Sequence, residues 1–164
     1  MRYDELEAAI RELVGEAGED ELRVFGVETV TRLVRSELLD TAADDDLDED
    51  AWAALASARE IVRTADAAEL RAQLTRIDAG ILADGDLDQG ILIVVGALEH
   101  WTTYLEEGRR EELYELAIRS VEEVDFQVSA DLDDFLATPE MAAEYARIKR
   151  LLTTGLRSPS PAGT

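Results

Sequence analysis

Apolar residues recur at three- and four-residue spacing along most of the chain, and the alternating β-branched stretches that announce strands are missing. The pattern predicts seven helices. The first covers about Tyr3 to Val14, with Leu6, Ile10, Leu13 and Val14 on one face, and should stop where Gly15 and Gly18 offer C-cap positions. The second spans about Asp20 to Leu39 and carries two apolar stripes, Val27/Val30/Val34/Leu38 and Leu22/Phe25/Leu33, which predicts burial on two sides.

A third helix follows the acidic run Asp44-Asp45-Asp46-Leu47-Asp48-Glu49-Asp50 and carries Trp52, Leu55 and Val62 to about Thr64. The fourth takes Asp66 as its N-cap and sets Leu70, Leu74, Ile77 and Ile81 in one stripe. The fifth, Asp88 to Glu107, is the most apolar element. Its segment Ile91-Leu92-Ile93-Val94-Val95 would also suit a buried strand, but Ile91, Val94, Leu98, Trp101 and Leu105 keep one helical register up to Gly108, and that length decides for a helix near the centre. The sixth runs from Arg109 to about Val128. The seventh opens at Thr138-Pro139-Glu140, a hydroxyl cap, a proline whose missing N–H costs nothing there, and an acid favoured by the helix dipole.

These elements make an all-α, single-domain bundle with antiparallel neighbours over residues 1–154, because the connections between helices are short. Residues 155–164 have too little apolar content to offset the entropy of ordering and read as a disordered tail. The segments Ala43-Asp44-Asp45-Asp46-Leu47-Asp48 and Ala83-Asp84-Gly85-Asp86-Leu87-Asp88 share a pattern forty residues apart, the period of a two-helix repeat. Capping accounts for the likeness without a duplication: Asp48 and Asp88 are N-caps, and Leu47 and Leu87 are placed to pack on Trp52 and Leu92 as hydrophobic staples.

Composition then narrows the function classes. The chain has 164 residues, no cysteine and one histidine, so disulfides, thiolate nucleophiles and two-histidine metal sites within the chain are excluded. The N-terminus lacks a basic-then-apolar leader, and the longest apolar run, Ile91 to Leu98, is too short to span a bilayer, which predicts a cytoplasmic protein without a membrane partner. Thirty-eight acids against sixteen bases give a formal net charge of −22. Such a surface repels nucleic acid and anionic lipid, and its natural charged partner is a basic protein.

Candidate chemistry is sparse. Asp84, Asp86 and Asp88 match the first three side-chain positions of a calcium loop, but Gln89 stands where the bend needs glycine and Val95 where a bidentate glutamate is required. The run from Asp44 fails in the same way at Glu49 and Leu55. His100 lies off the apolar stripe of its helix, near Ile93, Ala97 and Tyr104, and a structural histidine bonded to a backbone group or an acid on a neighbouring helix is the expectation. The acids Glu122, Glu123 and Asp125 have no accompanying nucleophile motif, and no phosphate-binding or dinucleotide glycine pattern occurs. The cluster Arg147-Lys149-Arg150 is expected near a helix C-terminus, where it complements the dipole. No catalytic residue, metal ligand or cofactor follows from this pattern.

The stretch from Asp133 through Thr138-Pro139-Glu140-Met141 to Leu152 resembles the closing segment of the YjaG-like family of uncharacterised bacterial proteins, where an acidic linker, a proline and a Glu-bearing helix also end the domain. The order of helices over about Leu22 to Leu152 is similar to that family, while the chain departs from it in lacking cysteine and in its few aromatic residues near Val27 to Arg35. The resemblance implies an all-α bundle and supplies no catalytic residues. The sequence therefore points to a non-enzymatic interaction protein. The alternative is an acidic immunity protein or nucleic-acid mimic that neutralises a basic partner, with Asp44, Asp45, Asp46, Asp48, Asp50, Asp84, Asp86 and Asp88 as its contact residues.

Overall fold

The computed structural model describes residues 1–42, 44–82 and 87–157, with side chains up to residue 153. Within them the chain forms α1 (Tyr3–Glu16), α2 (Glu19–Leu33), a 3₁₀ turn (Glu37–Leu39), α3 (Glu49–Ile61), α4 (Ala67–Ala79), α5 (Gln89–Glu107), α6 (Arg110–Val128) and α7 (Pro139–Arg157). Among the described residues no strand forms, and the only β pairing is two isolated bridges, Leu47 with Ile81 and Asp131 with Asp134. No described helix is long and apolar enough to cross a membrane.

The two most connected helices are α5 and α6. The residue Gly108, at φ 70° in the left-handed region, ends α5, and Arg109 then starts the return of α6 along it. Against α5 pack α2, α4 and the 3₁₀ turn, and against α6 pack α1, α2 and α7. The apolar stripe of α5 is accordingly buried: Ile91, Val94, Leu98 and Trp101 all lie in the core, along with Ile93 and Ala97. Both stripes of α2 are used as well, because Phe25, Val30 and Leu33 enter the core while α5, α6 and α7 surround the helix. Gly26 marks the closest approach, since a Cβ there would collide with the Trp101 ring and meet Leu113.

Several boundaries differ from the periodic reading, each for a tertiary reason. α1 runs through Gly15 to Glu16 and ends on extended Ala17, while Gly18 becomes the N-cap of α2. In place of a glycine C-cap, the Arg110 guanidinium reaches across from α6 and donates to the carbonyls of Val14, at 2.9 Å, and Ala17. α2 stops at Leu33 rather than Leu39 because Ser36 diverts the backbone: its hydroxyl accepts from the Leu38 amide at 3.2 Å and donates to the buried Glu123 at 2.6 Å. Ile81 falls beyond the end of α4 and pairs with Leu47 instead of continuing the stripe. At the other end of the chain α7 continues past Gly155 to Arg157, so residues 155–157 are helical where a tail was expected, and the remainder of that segment lies outside the described residues.

The N-terminus is held by the connection between α6 and α7. Tyr3 donates its amide to the Leu132 carbonyl at 3.0 Å, and Phe135 donates to the Met1 carbonyl at 2.8 Å. The two rings meet edge to face with centroids 5.0 Å apart. Burial, reinforced by Glu7 and other nearby acids, pushes the Tyr3 phenol from 10.0 up to about 12. A raised value favours the protonated phenol in the folded chain, so its contribution is complete below pH 10 and is lost as pH rises through about 12. A Tyr3→Phe variant followed by circular dichroism should lose less stability than the parent between those values. Superimposable alkaline unfolding curves would show that another group controls the loss.

Candidate functional site

The fold brings the first acidic segment against residues 80–82 and Asp88 at one end of the α3–α4 hairpin. Asp48 donates its amide to the Gly80 carbonyl at 2.8 Å, and Leu82 donates to the Asp46 carbonyl at 2.9 Å, on either side of the Leu47–Ile81 bridge. The Asp46 carboxylate then accepts from the Asp88 amide at 2.7 Å, which fixes the entry to α5. The two segments thus touch at Asp46 and Asp88 among the described residues, and the chemistry there is capping. Asp48 accepts from the Ala51 amide at 2.7 Å, and Asp88 accepts from the Gly90 amide at 2.8 Å, as the spacing predicted.

Four of the eight predicted contact acids are therefore engaged within the molecule. Asp46, Asp48 and Asp88 satisfy backbone N–H groups, and Asp50 receives both Nη2 and Nε of Arg76, at 2.7 and 3.3 Å, which holds its carboxyl below the ordinary range. Asp44 and Asp45 are exposed at this end, and the Asp44 carbonyl accepts the Trp52 indole N–H at 3.0 Å. Asp84 and Asp86 lie outside the described residues. Of the expected staples, Leu47 is buried, whereas Leu92 stands 41% exposed on the outer face of α5. Among the described residues no group of three or more histidine or acidic side chains is placed to hold a metal ion.

His100 is a structural histidine of the kind expected. Its Nδ1 lies 2.8 Å from Glu112 Oε2 on α6, and the other oxygen of Glu112 accepts from Arg109 at 3.0 Å. This chain of contacts ties the start of α6 to the middle of α5, and no hydroxyl of a described residue hydrogen-bonds the imidazole. The acids considered as a general acid and base are separated by their partners: Glu122 pairs with Arg119 at 3.1 Å, Asp125 accepts from the Ala130 amide at 2.8 Å, and Glu123 is buried.

The feature that sequence reasoning missed is a buried polar cluster joining α2, α6 and α7. Arg32 donates to Glu123 at 2.9 Å, to Glu144 at 3.0 Å and to the Ser120 carbonyl at 3.3 Å. Glu123 also accepts from Ser36 and Gln127, and Glu144 accepts from Arg147, which in turn reaches Thr29 at 3.1 Å. Both carboxylates are about 95% buried, and guanidinium groups and neutral donors supply their hydrogen bonds. Arg147 and Arg150 were expected at a helix end; because α7 extends to Arg157 they stand in its interior, and Arg147 serves the buried cluster rather than the dipole. The one available signal was polar residues interrupting apolar stripes, Arg32 between Val30 and Val34, and Glu123 between Val121 and Val124.

Elsewhere the arginines are similarly committed to the chain's own acids. Arg63 forms a two-pronged pair with Glu28 at 3.0 and 3.2 Å, Arg11 binds Glu111 at 2.8 Å, and Arg71 joins Glu99 at 2.7 Å and Glu106 at 2.6 Å. Hydrogen bonding from Arg71 holds the Glu106 carboxyl below its ordinary value. No family model, no curated protein and no solved structure matches this chain.

Proposed function

We propose that this protein is a non-enzymatic interaction protein that binds and neutralises a basic protein, its carboxylates standing where a nucleic acid would place phosphates. What supports the reading is the disposition of charge. The chain carries a formal −22, and arginines such as Arg11, Arg63, Arg71 and Arg76 are folded onto its own acids, which outnumber the bases by more than two to one. A field of one sign accelerates encounter with an oppositely charged surface and disfavours polyanions. Asp44 and Asp45, exposed beside the capped end of α3, are the first contact candidates among the described residues.

The test is capture of partners on the immobilised protein from a lysate of its source, eluted with a rising salt gradient. A stoichiometric basic protein that leaves at a defined salt concentration is the expected result. Asp44→Asn combined with Asp45→Asn should slow its association several-fold, roughly the scale on which rim charges act, while leaving dissociation nearly unchanged. Retention of no protein, or of one that is neutral or acidic, would overturn the reading.

A further inference from the structure

Between α4 and α5 runs a groove of about 350 Å³ with an apolar floor of Leu74, Ile77, Ile81 and Val95. The Arg71–Glu99 pair, at 2.7 Å, closes one end. At the other end two leucines stand out, Leu82 at 57% and Leu92 at 41% exposure. Leu92, Val95 and Glu99 share one face of α5 by their spacing, and Leu82 follows Ile81 directly, so both leucines adjoin the floor. The backbone of Leu82 is pinned, because its amide donates to the Asp46 carbonyl beside the Leu47–Ile81 bridge. An apolar side chain on a fixed backbone loses little freedom when a partner covers it, which favours binding.

The charge around this floor is negative. Among the described residues the arginines that border it are already taken: Arg71 by Glu99 and Glu106, Arg76 by Asp50, and Arg119, which packs over Gly96, by Glu122. Two carboxylates therefore share the Arg71 guanidinium, and the exposed Asp78 on the groove wall pairs with no cation among the described residues. The exposed Asp44 and Asp45 immediately precede Asp46, the partner of Leu82. We propose that this groove docks an amphipathic helix of the basic partner. The apolar face of that helix covers Ile81, Leu82, Leu92 and Val95, and its lysines or arginines meet Asp78, Asp44 and Asp45. The inference rests on the reading that the partner is basic and names the form in which it binds.

Shape and charge together select this occupant. The wall from Arg71 to Asp78 is about two helical turns long, roughly 10 Å, so a helix of two to three turns lies along it with its side chains between those of α4 and α5. An extended strand would find no sheet edge among the described residues, where β pairing is confined to two isolated bridges. A second copy of the chain would bring a further −22 against an acidic rim, which charge disfavours.

The experiment titrates the full chain with two synthetic peptides of about fifteen residues, an amphipathic leucine–lysine helix and an oligolysine, and follows the backbone amides by nuclear magnetic resonance. The amphipathic peptide should bind at least about tenfold more tightly and shift the amides of Ile81, Leu92 and Val95, while that of Val24 on α2 stays in place. Leu92→Asp removes an apolar contact and adds a negative charge, so it should weaken the amphipathic peptide at least about fivefold, where attraction by charge alone would strengthen it. Val24→Asp, at another exposed apolar position, should not weaken it. Equal affinity for the two peptides, shifts that avoid the groove, or full binding by Leu92→Asp would each overturn the inference. Capture from lysate separates it from the wider reading. A basic protein that the parent and Leu92→Asp release at the same salt concentration overturns the groove and leaves the partner basic. Peptide binding in the groove with no basic protein retained overturns the wider reading and leaves the groove as a helix-docking site.

Discussion

Replacing Arg32 with methionine is expected to lower the free energy of unfolding by about 3 kcal/mol, the consequence of leaving two buried carboxylates without their shared counter-charge. The figure lies at the lower end of the range for a broken buried ion pair because a third of the Arg32 side chain is exposed and water can approach. Methionine retains most of the stem that packs between α2 and α6, so loss of apolar contact contributes little. The charge origin of the effect is separable: adding Glu123→Gln and Glu144→Gln to the methionine variant removes the stranded charges and should recover part of the loss. Urea denaturation of the parent, the single and the triple variant measures both steps. A single-variant loss below about 1 kcal/mol would place the cluster with ordinary exposed pairs. A triple variant less stable than the single would show that hydrogen-bond geometry, rather than unpaired charge, dominates.

Phe135→Ala is expected to cost about 3–5 kcal/mol, as large as truncating any aromatic residue within a helix of the core. The residue lies outside any helix, in the connection between α6 and α7, and yet is fully buried. Its ring packs edge to face on Tyr3, and its amide holds the Met1 carbonyl, so truncation empties a core position and loosens the clasp on the N-terminus together. Hydrogen exchange separates the two effects. The Tyr3 amide, bonded to Leu132, should lose protection beyond what the global destabilisation accounts for, while the amide of Leu98 in α5 should track the global change. A cost below about 1 kcal/mol, or Tyr3 protection following the global value alone, would mean that the connection is not what secures α1.

How much of this was legible in the chain depends on whether the governing contact is local. The caps at Asp48, Asp66 and Asp88 were read correctly because an N-cap and its amide partner lie two or three residues apart, and the composition of that short window decides them. The register of α5 was legible for the same reason, since nineteen residues of one helix repeat the period several times. Where a partner comes from a distant part of the sequence, the window held no information. Arg110 closes α1 from ninety-three residues beyond Ala17, so the nearby glycines drew the boundary to the wrong place. Ser36 ends α2 early because Glu123, eighty-seven residues on, fixes its hydroxyl.

The acidic site shows the same division. Spacing identified the aspartates of the two similar segments and the cap at Asp48, but not that Asp46 and Asp50 would be satisfied by the Asp88 amide and Arg76 while Asp44 and Asp45 stay exposed. The arginines gave still less away. Spread over α2, α7 and the turn after α3, Arg23, Arg32, Arg63, Arg147 and Arg150 share no motif, and their gathering along α2 is a property of helix packing alone.

By itself the sequence determined that this protein is a helical domain, where most of its helices begin, which faces they bury and that its surface is negative. Those properties follow from periodicity, capping and net charge, each of which is local or additive along the chain. Only the tertiary structure decided which charges survive as surface, which become internal ties, and that Asp46 meets Asp88. Those outcomes depend on pairs of residues some thirty to more than one hundred positions apart, and only the packing of one helix on another brings such pairs together.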